Sequence, residues 1–147
     1  MPTLDEAWGL SRVDSGLAIV STARADGTIQ SSLVNTGVLA HPATGKRLLA
    51  FVAVGGAKVK LGNLRARPQI AVAFRSGWRW AAVEGRAELA GPVDPQPWLD
   101  AERLRLLLRV IVMAAGGTHD DWDTYDRVVA EEGRTAVFIT PTRIYGG

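Results

Sequence analysis

The sequence predicts one domain of mainly antiparallel β-structure with a few helices around it. Its 147 residues suffice for a single hydrophobic core, and 47% apolar with 22% charged residues is typical of a folded chain. Six apolar segments of strand length are separated mostly by short turn sequences. Strands and helices do not alternate regularly, which disfavours a doubly wound parallel sheet and favours an antiparallel barrel or sandwich.

The first third of the chain contains one short helix and three strands. Thr3 and Glu6 form a capping-box pattern, which predicts a helix to about Val13. Strands are predicted over 16–24, 29–40 and 47–54; an Asp-Gly turn joins the first two, and the turn 41–46 joins the last two. Gly55 and Gly56 end the third strand.

A helix is predicted from Ala57 to Ala66, and Pro68 prevents its continuation. Its apolar spacing places Ala57, Leu61 and Leu64 toward the core. Basic and amide residues follow on the two flanks: Lys60, Asn63 and Arg67 on one, and Lys58, Gly62 and Arg65 on the other.

The remaining chain is predicted to form three strands and two helices. The strands cover 69–75, 78–90 and 134–140, and the last is expected to stop at Pro141. A helix within 94–115 carries apolar residues on almost all sides, which leaves open whether it packs on its own barrel or on a partner. A second helix, over 118–133, has Thr118 as its expected cap.

The charge is unevenly distributed although the net charge is only +2. From Gly27 to Val83 the chain has eight basic residues and no Asp or Glu. This pattern indicates an anionic partner, and the alternative is a solvated basic face without a ligand.

Several kinds of catalytic site are disfavoured by the residues present. Cysteine is absent, and His41 and His119 are isolated, so no metal site is expected. No nucleophile elbow or Gly-rich nucleotide motif occurs. Four aspartates at 120, 121, 123 and 126 either bind a metal or, as we favour, complement a helix N-terminus. An enzyme of this composition would need a cofactor, and the lack of a leader or membrane segment leads us to expect a cytoplasmic protein without a membrane partner.

The segment "GGAKVK" carries the strongest local signal for binding. A helix N-terminus offers unpaired N–H groups, glycines allow a ligand close to the backbone, and Lys58 and Lys60 add positive charge. These features together favour a phosphate group. Nucleic acid would also suit the charge, but no nucleic-acid-binding module is present in the sequence, so we expect no such partner.

Trp78 and Trp80 alternate in the predicted fifth strand and are therefore expected to project from one face. They either fill the core or stack against a flat aromatic ligand.

Four segments together resemble a known family. They are the Lys60-x-x-Asn63-Leu64-Arg65-x-x-Pro68 pattern, "GWRWAAVEGRAEL" at 77–89, "HDDWDTYD" at 119–126 and the ending "ITPTRIYGG". The chain resembles the pyridoxamine-phosphate-oxidase-like split β-barrels, and within them the actinobacterial branch that uses the deazaflavin coenzyme F420.

The resemblance implies a fold, an assembly and a set of cofactor contacts. The fold is a six-stranded antiparallel split β-barrel of the FMN-binding type with flanking helices, and the assembly is a homodimer with cofactor sites at its interface. The implied cofactor residues are Lys60 at the phosphate, Asn63, Arg65 and Lys58 beside it, Ser32, Leu33, Val34 and Asn35 along the ring, and Trp78 from across the dimer. The sequence departs from the family pattern at Gly62 and in the segment Asn35-Thr36-Gly37. Its ending, Tyr145-Gly146-Gly147, differs from that of true pyridoxamine phosphate oxidases and disfavours vitamin B6 oxidation as the reaction.

The expected function is an oxidoreductase in which reduced F420 transfers a hydride to an unsaturated small-molecule acceptor. No catalytic acid or base is assigned. The alternatives are an FMN enzyme of the same fold, a non-catalytic cofactor carrier and a nucleic-acid binder. The acceptor itself is not identified by the sequence.

Overall fold

The structure is a computed structural model and describes residues 2–53 and 58–147. In these residues six strands close into one antiparallel barrel in the order β1-β2-β3-β6-β5-β4. The strands are β1 (Leu17–Ala23), β2 (Ile29–Ala40), β3 (Arg47–Ala53), β4 (Gln69–Ser76), β5 (Arg79–Ala90) and β6 (Thr135–Gly146). The predicted six-stranded antiparallel architecture is confirmed, and closure of the sheet decides between a barrel and a sandwich.

Four α-helices accompany the barrel in the described residues. They are α1 (Leu4–Gly9), which continues as a 3-10 helix at Leu10–Asp14, α2 (Lys58–Ala66), α3 (Ala101–Ala114) and α4 (Trp122–Glu131). The capping box before α1 is confirmed, since Thr3 accepts from the Glu6 N–H and donates its own N–H to the Glu6 carboxylate. The structure contains no helix in its described residues that is long and apolar enough to cross a membrane.

After Arg47, β3 is apolar because both of its faces are covered. Leu49 and Phe51 point into the barrel, where they pack with residues of the other strands. Leu48 and Ala50 point outward into a second cluster beneath α3 and α4. The barrel interior and this outer layer therefore share β3 as their common wall.

α3 packs one of its faces on the barrel of its own chain. Leu107, Leu108 and Ile111 are buried against β3 and β6. Gly37 of β2 permits the close approach, because a Cβ there would lie 2.6 Å from the backbone of Ala114. The helix begins at Ala101, capped by Asp100, and is shorter than the predicted range.

Two other predicted boundaries were wrong. β6 does not stop at Pro141 but continues to Gly146, and the β5–β6 register shifts between Glu84 and Gly85, opposite this proline. An irregularity in the ladder accommodates a residue that has no N–H to donate. The cap of α4 is Asp121, which accepts from the Thr124 N–H at 3.1 Å, and not Thr118.

Candidate cofactor site

α2 turns polar residues toward the barrel. Leu64 is buried, as its apolar spacing predicts, but Lys60 and Asn63 are buried beside it. Leu61 is half-buried and packs against the same core, so the predicted core-facing side of α2 is confirmed for Leu61 and Leu64. Ala57, and the two glycines expected to admit a ligand, lie outside the described residues.

The Lys60 side chain is the central feature of this end of the barrel. The residue is 7% exposed, and its Nζ lies 5.5 Å from the centroid of the Phe51 ring. Among the described residues no carboxylate pairs with it, and the residues outside them, Met1 and 54–57, contain no Asp or Glu. Burial lowers the pKa of Lys60 because the ammonium loses hydration without gaining an anion. An anionic group brought to this position would relieve that penalty.

A hydrogen-bonded chain attaches α2 to the end of β1. The Asn63 amide donates to Thr22 Oγ1 at 3.0 Å, and Thr22 donates to Gln30 Oε1 at 3.2 Å. Arg67 adds a bond from Nε to the Ala23 carbonyl at 2.9 Å. These contacts position Lys60, and the contributions of Thr22 and Gln30 were not foreseen from the sequence. Their only signal there was polar character near the ends of two adjacent strands.

β2 presents a strand edge close to this helix. Its pairing with β3 covers only Thr36–Ala40, so within the described residues the segment Ile29–Asn35 pairs with β1 alone. Phe51, under the Lys60 ammonium, pairs with Thr36 at the point where β2 and β3 separate. The opening between the two strands therefore lies next to the buried lysine.

The four predicted ring-binding residues lie on this open segment but alternate in direction. Val34 is buried and Ser32 is partly buried, whereas Leu33 and Asn35 are exposed on the outer face. The Ser32 hydroxyl oxygen is buried and has no hydrogen-bond partner within residues 2–53 and 58–147. Such an orphaned group is costly unless a ligand satisfies it. The side chains of the four residues therefore do not lie on one face of the strand. Within one chain, the four residues share only the backbone edge of β2.

The two other predicted basic residues differ in their environment. Lys58 is exposed at the start of α2. Arg65 forms a two-point ion pair with Asp94, with Nε–Oδ1 and Nη2–Oδ2 distances of 2.8 and 2.6 Å, and this contact raises the pKa of Arg65. The charge of Arg65 is therefore already balanced within the protein, while that of Lys60 is not.

Comparison with known proteins identifies the fold. No protein-family model matches the sequence. A conserved hypothetical protein from Mycobacterium tuberculosis superposes with a TM-score of 0.63 at 20% identity, covering 98% of this chain and 84% of the other. A pyridoxamine 5′-phosphate oxidase-related, FMN-binding protein from Nostoc punctiforme gives 0.60 at 13% identity, covering 95% and 79%. A protein described as an F420 reductase gives 0.60 at 18% identity, covering 99% and 98%.

The chain has the FMN-binding split-barrel fold. The identities are low, so the comparisons establish this architecture and not the ligand. The predicted fold class is confirmed, and the division between β2 and β3 beside Lys60 marks the opening of this split barrel.

Trp78 lies away from α2 in this split barrel. β5 begins at Arg79, so Trp78 belongs to the β4–β5 turn, and the expectation that it shares a strand face with Trp80 was wrong. Trp78 is 99% exposed, whereas Trp80 is partly covered by Tyr145 at a ring-centroid distance of 6.1 Å. The turn is at the far end of β4 from α2, so one chain does not bring Trp78 and Lys60 together.

The outer face of the split barrel carries an apolar row that crosses five strands. Leu33 is 58% and Ile19 45% exposed, and they are directly opposite each other. The row continues in register from Ile19 to Ala73, Ala82 and Tyr145. Small side chains in its centre leave this face comparatively flat.

Proposed function

We propose that this protein is an oxidoreductase that binds coenzyme F420 and transfers a hydride between the reduced cofactor and an unsaturated small-molecule acceptor. The observation that carries the proposal is the buried Lys60 ammonium, which lacks an anionic partner among the described residues and lies beside the open edge of β2. The neighbour described as an F420 reductase and the FMN-binding neighbour support this class of cofactor.

The phosphate of the cofactor would bind at Lys60. A phosphate oxygen there accepts a charge-assisted hydrogen bond from Nζ and raises the pKa that burial has lowered. Lys58 at the start of α2 adds a second cation, and the N-terminus of a helix favours an anion. Asn63 supports the site chiefly by holding α2 against Thr22.

The cofactor ring would lie along β2 at Ser32–Asn35. The unpaired strand edge offers backbone donors and acceptors, and the orphaned Ser32 hydroxyl offers one more. A bound deazaflavin supplies the hydride chemistry. The residues of the chain hold the ring, exclude water from its buried side through Val34, and leave the other side to the acceptor.

No side chain is assigned as an acid or base. His41 is buried against Trp98 and Phe138, and its Nδ1 accepts from the Ala43 and Thr44 N–H groups, so Nε2 carries the proton and donates it to Glu88 at 2.7 Å. His119 precedes α4 and accepts from the Asp121 N–H. Both imidazoles are thus engaged in local structure, and solvent or a backbone N–H would complete protonation of the product.

A homodimer completes this proposal. The apolar row on the outer face, in which Leu33 and Ile19 are exposed, suits burial against a second copy. A fully exposed Trp78 indole likewise suits a position in the partner's cofactor site. The interface would then contain two cofactor sites, each formed by Lys60 of one chain and Trp78 of the other.

Titration of the purified protein with F420 tests the proposal. We expect the fluorescence of F420 to change at micromolar protein, and Lys60→Ala to weaken binding at least tenfold. Lys46→Ala is the matched control, since Lys46 is exposed in the β2–β3 turn and should leave affinity unchanged. The absence of any fluorescence change would contradict the proposal.

FMN is the second candidate because it also combines a planar ring with a phosphorylated side chain, and a neighbour of this fold is described as FMN-binding. A yellow protein as purified, or tighter binding of FMN than of F420, would assign the site to FMN. Tight binding of F420 without turnover of any unsaturated acceptor would indicate a cofactor carrier.

A further inference from the structure

A second candidate ligand site lies between α3 and the β2–β3 hairpin. It is a groove of about 550 Å³, lined mainly by Leu39, Pro42, Trp98, Leu106, Leu107 and Val110, with Arg103 among its lining residues. This volume is within the range of small-molecule sites, which are usually concave and mostly apolar. Leu39 belongs to the cluster beneath α3 on the outer face of the sheet, whereas Phe51, next to the Lys60 ammonium, packs inside the barrel, so the groove is separate from the Lys60 site.

Part of the apolar lining of the groove is not buried by packing within the chain. Leu107 is buried on the barrel, but Leu106 and Val110, one helical turn apart, remain nearly half exposed. Two large aliphatic side chains that are exposed side by side above a groove favour an apolar ligand over water.

Arg103 gives the groove its polarity. It precedes Leu106 and Leu107 by three and four residues, so it lies on the same face of α3. Its Nη1 donates to the Trp98 carbonyl at 3.3 Å, and its Nε is 3.8 Å from Asp100. Asp100 caps α3 through Oδ1, and its Oδ2 is too far from Nε for a hydrogen bond, so the guanidinium retains donors for another acceptor.

The wall of the groove is held rigidly. Trp98 packs edge-on against the buried His41 ring at a centroid distance of 4.9 Å. His41 is fixed by Glu88 on one nitrogen and by two backbone N–H groups on the other. A pre-formed wall lowers the ordering cost of binding.

We propose that this groove binds a small carboxylate with an apolar body. The hydrocarbon part covers Leu106 and Val110 against Leu39 and Pro42, and the carboxylate accepts from the Arg103 guanidinium. The carboxylate of such a ligand pairs with Arg103, the one charged residue among the described residues that line the groove. A neutral apolar molecule would leave the guanidinium without an anionic partner in the groove.

Octanoate and 1-octanol are the probes, since they share an alkyl chain and differ in charge. In calorimetric titration we expect octanoate to bind at least tenfold more tightly than octanol. Arg103→Gln should lower the affinity for octanoate about tenfold and leave the affinity for octanol unchanged. Leu106→Gln should lower the affinity for both probes. Arg127→Gln, on the exposed surface of α4, is the matched control and should change neither.

The position of binding is read from the indole N–H signals in a proton–nitrogen correlation spectrum, with the Trp98 signal assigned through Trp98→Phe. A shift of the Trp98 signal that Arg103→Gln reduces supports the site. Equal affinity for the two probes, or octanoate affinity that Arg103→Gln leaves unchanged, would overturn it. Binding of F420 or FMN is expected to be the same in Arg103→Gln, so failure of this proposal is separable from failure of the cofactor site.

Discussion

The ammonium of Lys60 lies 5.5 Å from the centroid of the Phe51 ring at the end of the barrel where β2 separates from β3. The aromatic face offers this cation partial compensation, but no carboxylate among the described residues neutralises it. A buried cation without an anion destabilises the fold unless a ligand supplies the opposite charge. The charge of Lys60 would therefore favour binding of an anionic ligand while it lowers the stability of the ligand-free protein.

Replacement of Lys60 by methionine should stabilise the protein without cofactor. The side chain keeps much of its volume and loses the desolvated charge, so we expect the free energy of unfolding to rise by about 1–3 kcal/mol. Urea unfolding of the wild type and Lys60→Met measures this change. Lys46→Met, at an exposed position, should leave the free energy of unfolding within about 0.5 kcal/mol. A loss of stability in Lys60→Met would show that the ammonium is well paired in the fold.

The stability difference between Lys60→Met and the wild type should depend on pH. The folded-state pKa of Lys60 is lowered below its ordinary 10.5, so above that lowered pKa the unfolded chain binds more protons than the folded one. Wild-type stability attributable to this group therefore rises with pH up to about 10.5, and the advantage of the methionine variant shrinks over the same interval. A difference that stays constant through this interval would contradict the lowered pKa.

Arg65 should contribute less to cofactor binding than Lys60. Its guanidinium is held by Asp94 through two hydrogen bonds, so it would have to leave that partner to reach a phosphate. We expect Arg65→Gln to weaken F420 binding by less than about threefold, against at least tenfold for Lys60→Ala. Equal losses in the two variants, measured by fluorescence titration, would show that the Arg65–Asp94 pair opens on binding.

A charge in the outer apolar row should break the proposed homodimer. Ile19→Asp places a carboxylate between Leu33 and Ala73, where burial against a second copy would be strongly unfavourable. We expect light scattering to give the dimer mass for the wild type and the monomer mass for the variant. Val13→Asp is the control, because Val13 is exposed in the 3-10 helix outside the row. A variant that remains dimeric would place the interface elsewhere.

His41 should be a structural residue. Its buried ring makes hydrogen bonds through both nitrogens and packs between Trp98 and Phe138. We expect His41→Ala to lower the free energy of unfolding by about 2–4 kcal/mol, since it removes buried volume and leaves two backbone N–H groups without their acceptor. His119→Ala, at a partly exposed position, should cost less than about 1 kcal/mol. Equal effects of the two substitutions in thermal or urea unfolding would contradict this role.

The strands were predictable because their signals are local. Alternation of apolar residues and turns such as Asp26-Gly27 are visible in a short window, and apart from the end of β6 the observed strands begin and end close to the predicted limits. Pro141 shows where local reasoning fails, because the register shift that tolerates it depends on β5, more than fifty residues earlier.

The candidate site was only partly predictable for a related reason. Apolar spacing assigns the buried face of a helix from its hydrophobic residues, and α2 buries Lys60 and Asn63 in addition to Leu64. Arg65 pairs with Asp94, and Trp78 lies isolated at a turn. Both features depend on tertiary structure and cannot be predicted from the spacing of residues in the sequence. Such conflicts between local pattern and fold tend to mark functional positions.

The most direct measurement of the central claim is a binding cycle that compares two ligands and two proteins. F420 and the same deazaflavin ring on a side chain without phosphate are each titrated against the wild type and Lys60→Ala. If Lys60 holds the phosphate, the substitution weakens F420 binding at least tenfold and leaves the unphosphorylated ring nearly unaffected. An equal loss for both ligands, or no loss for either, would contradict the account.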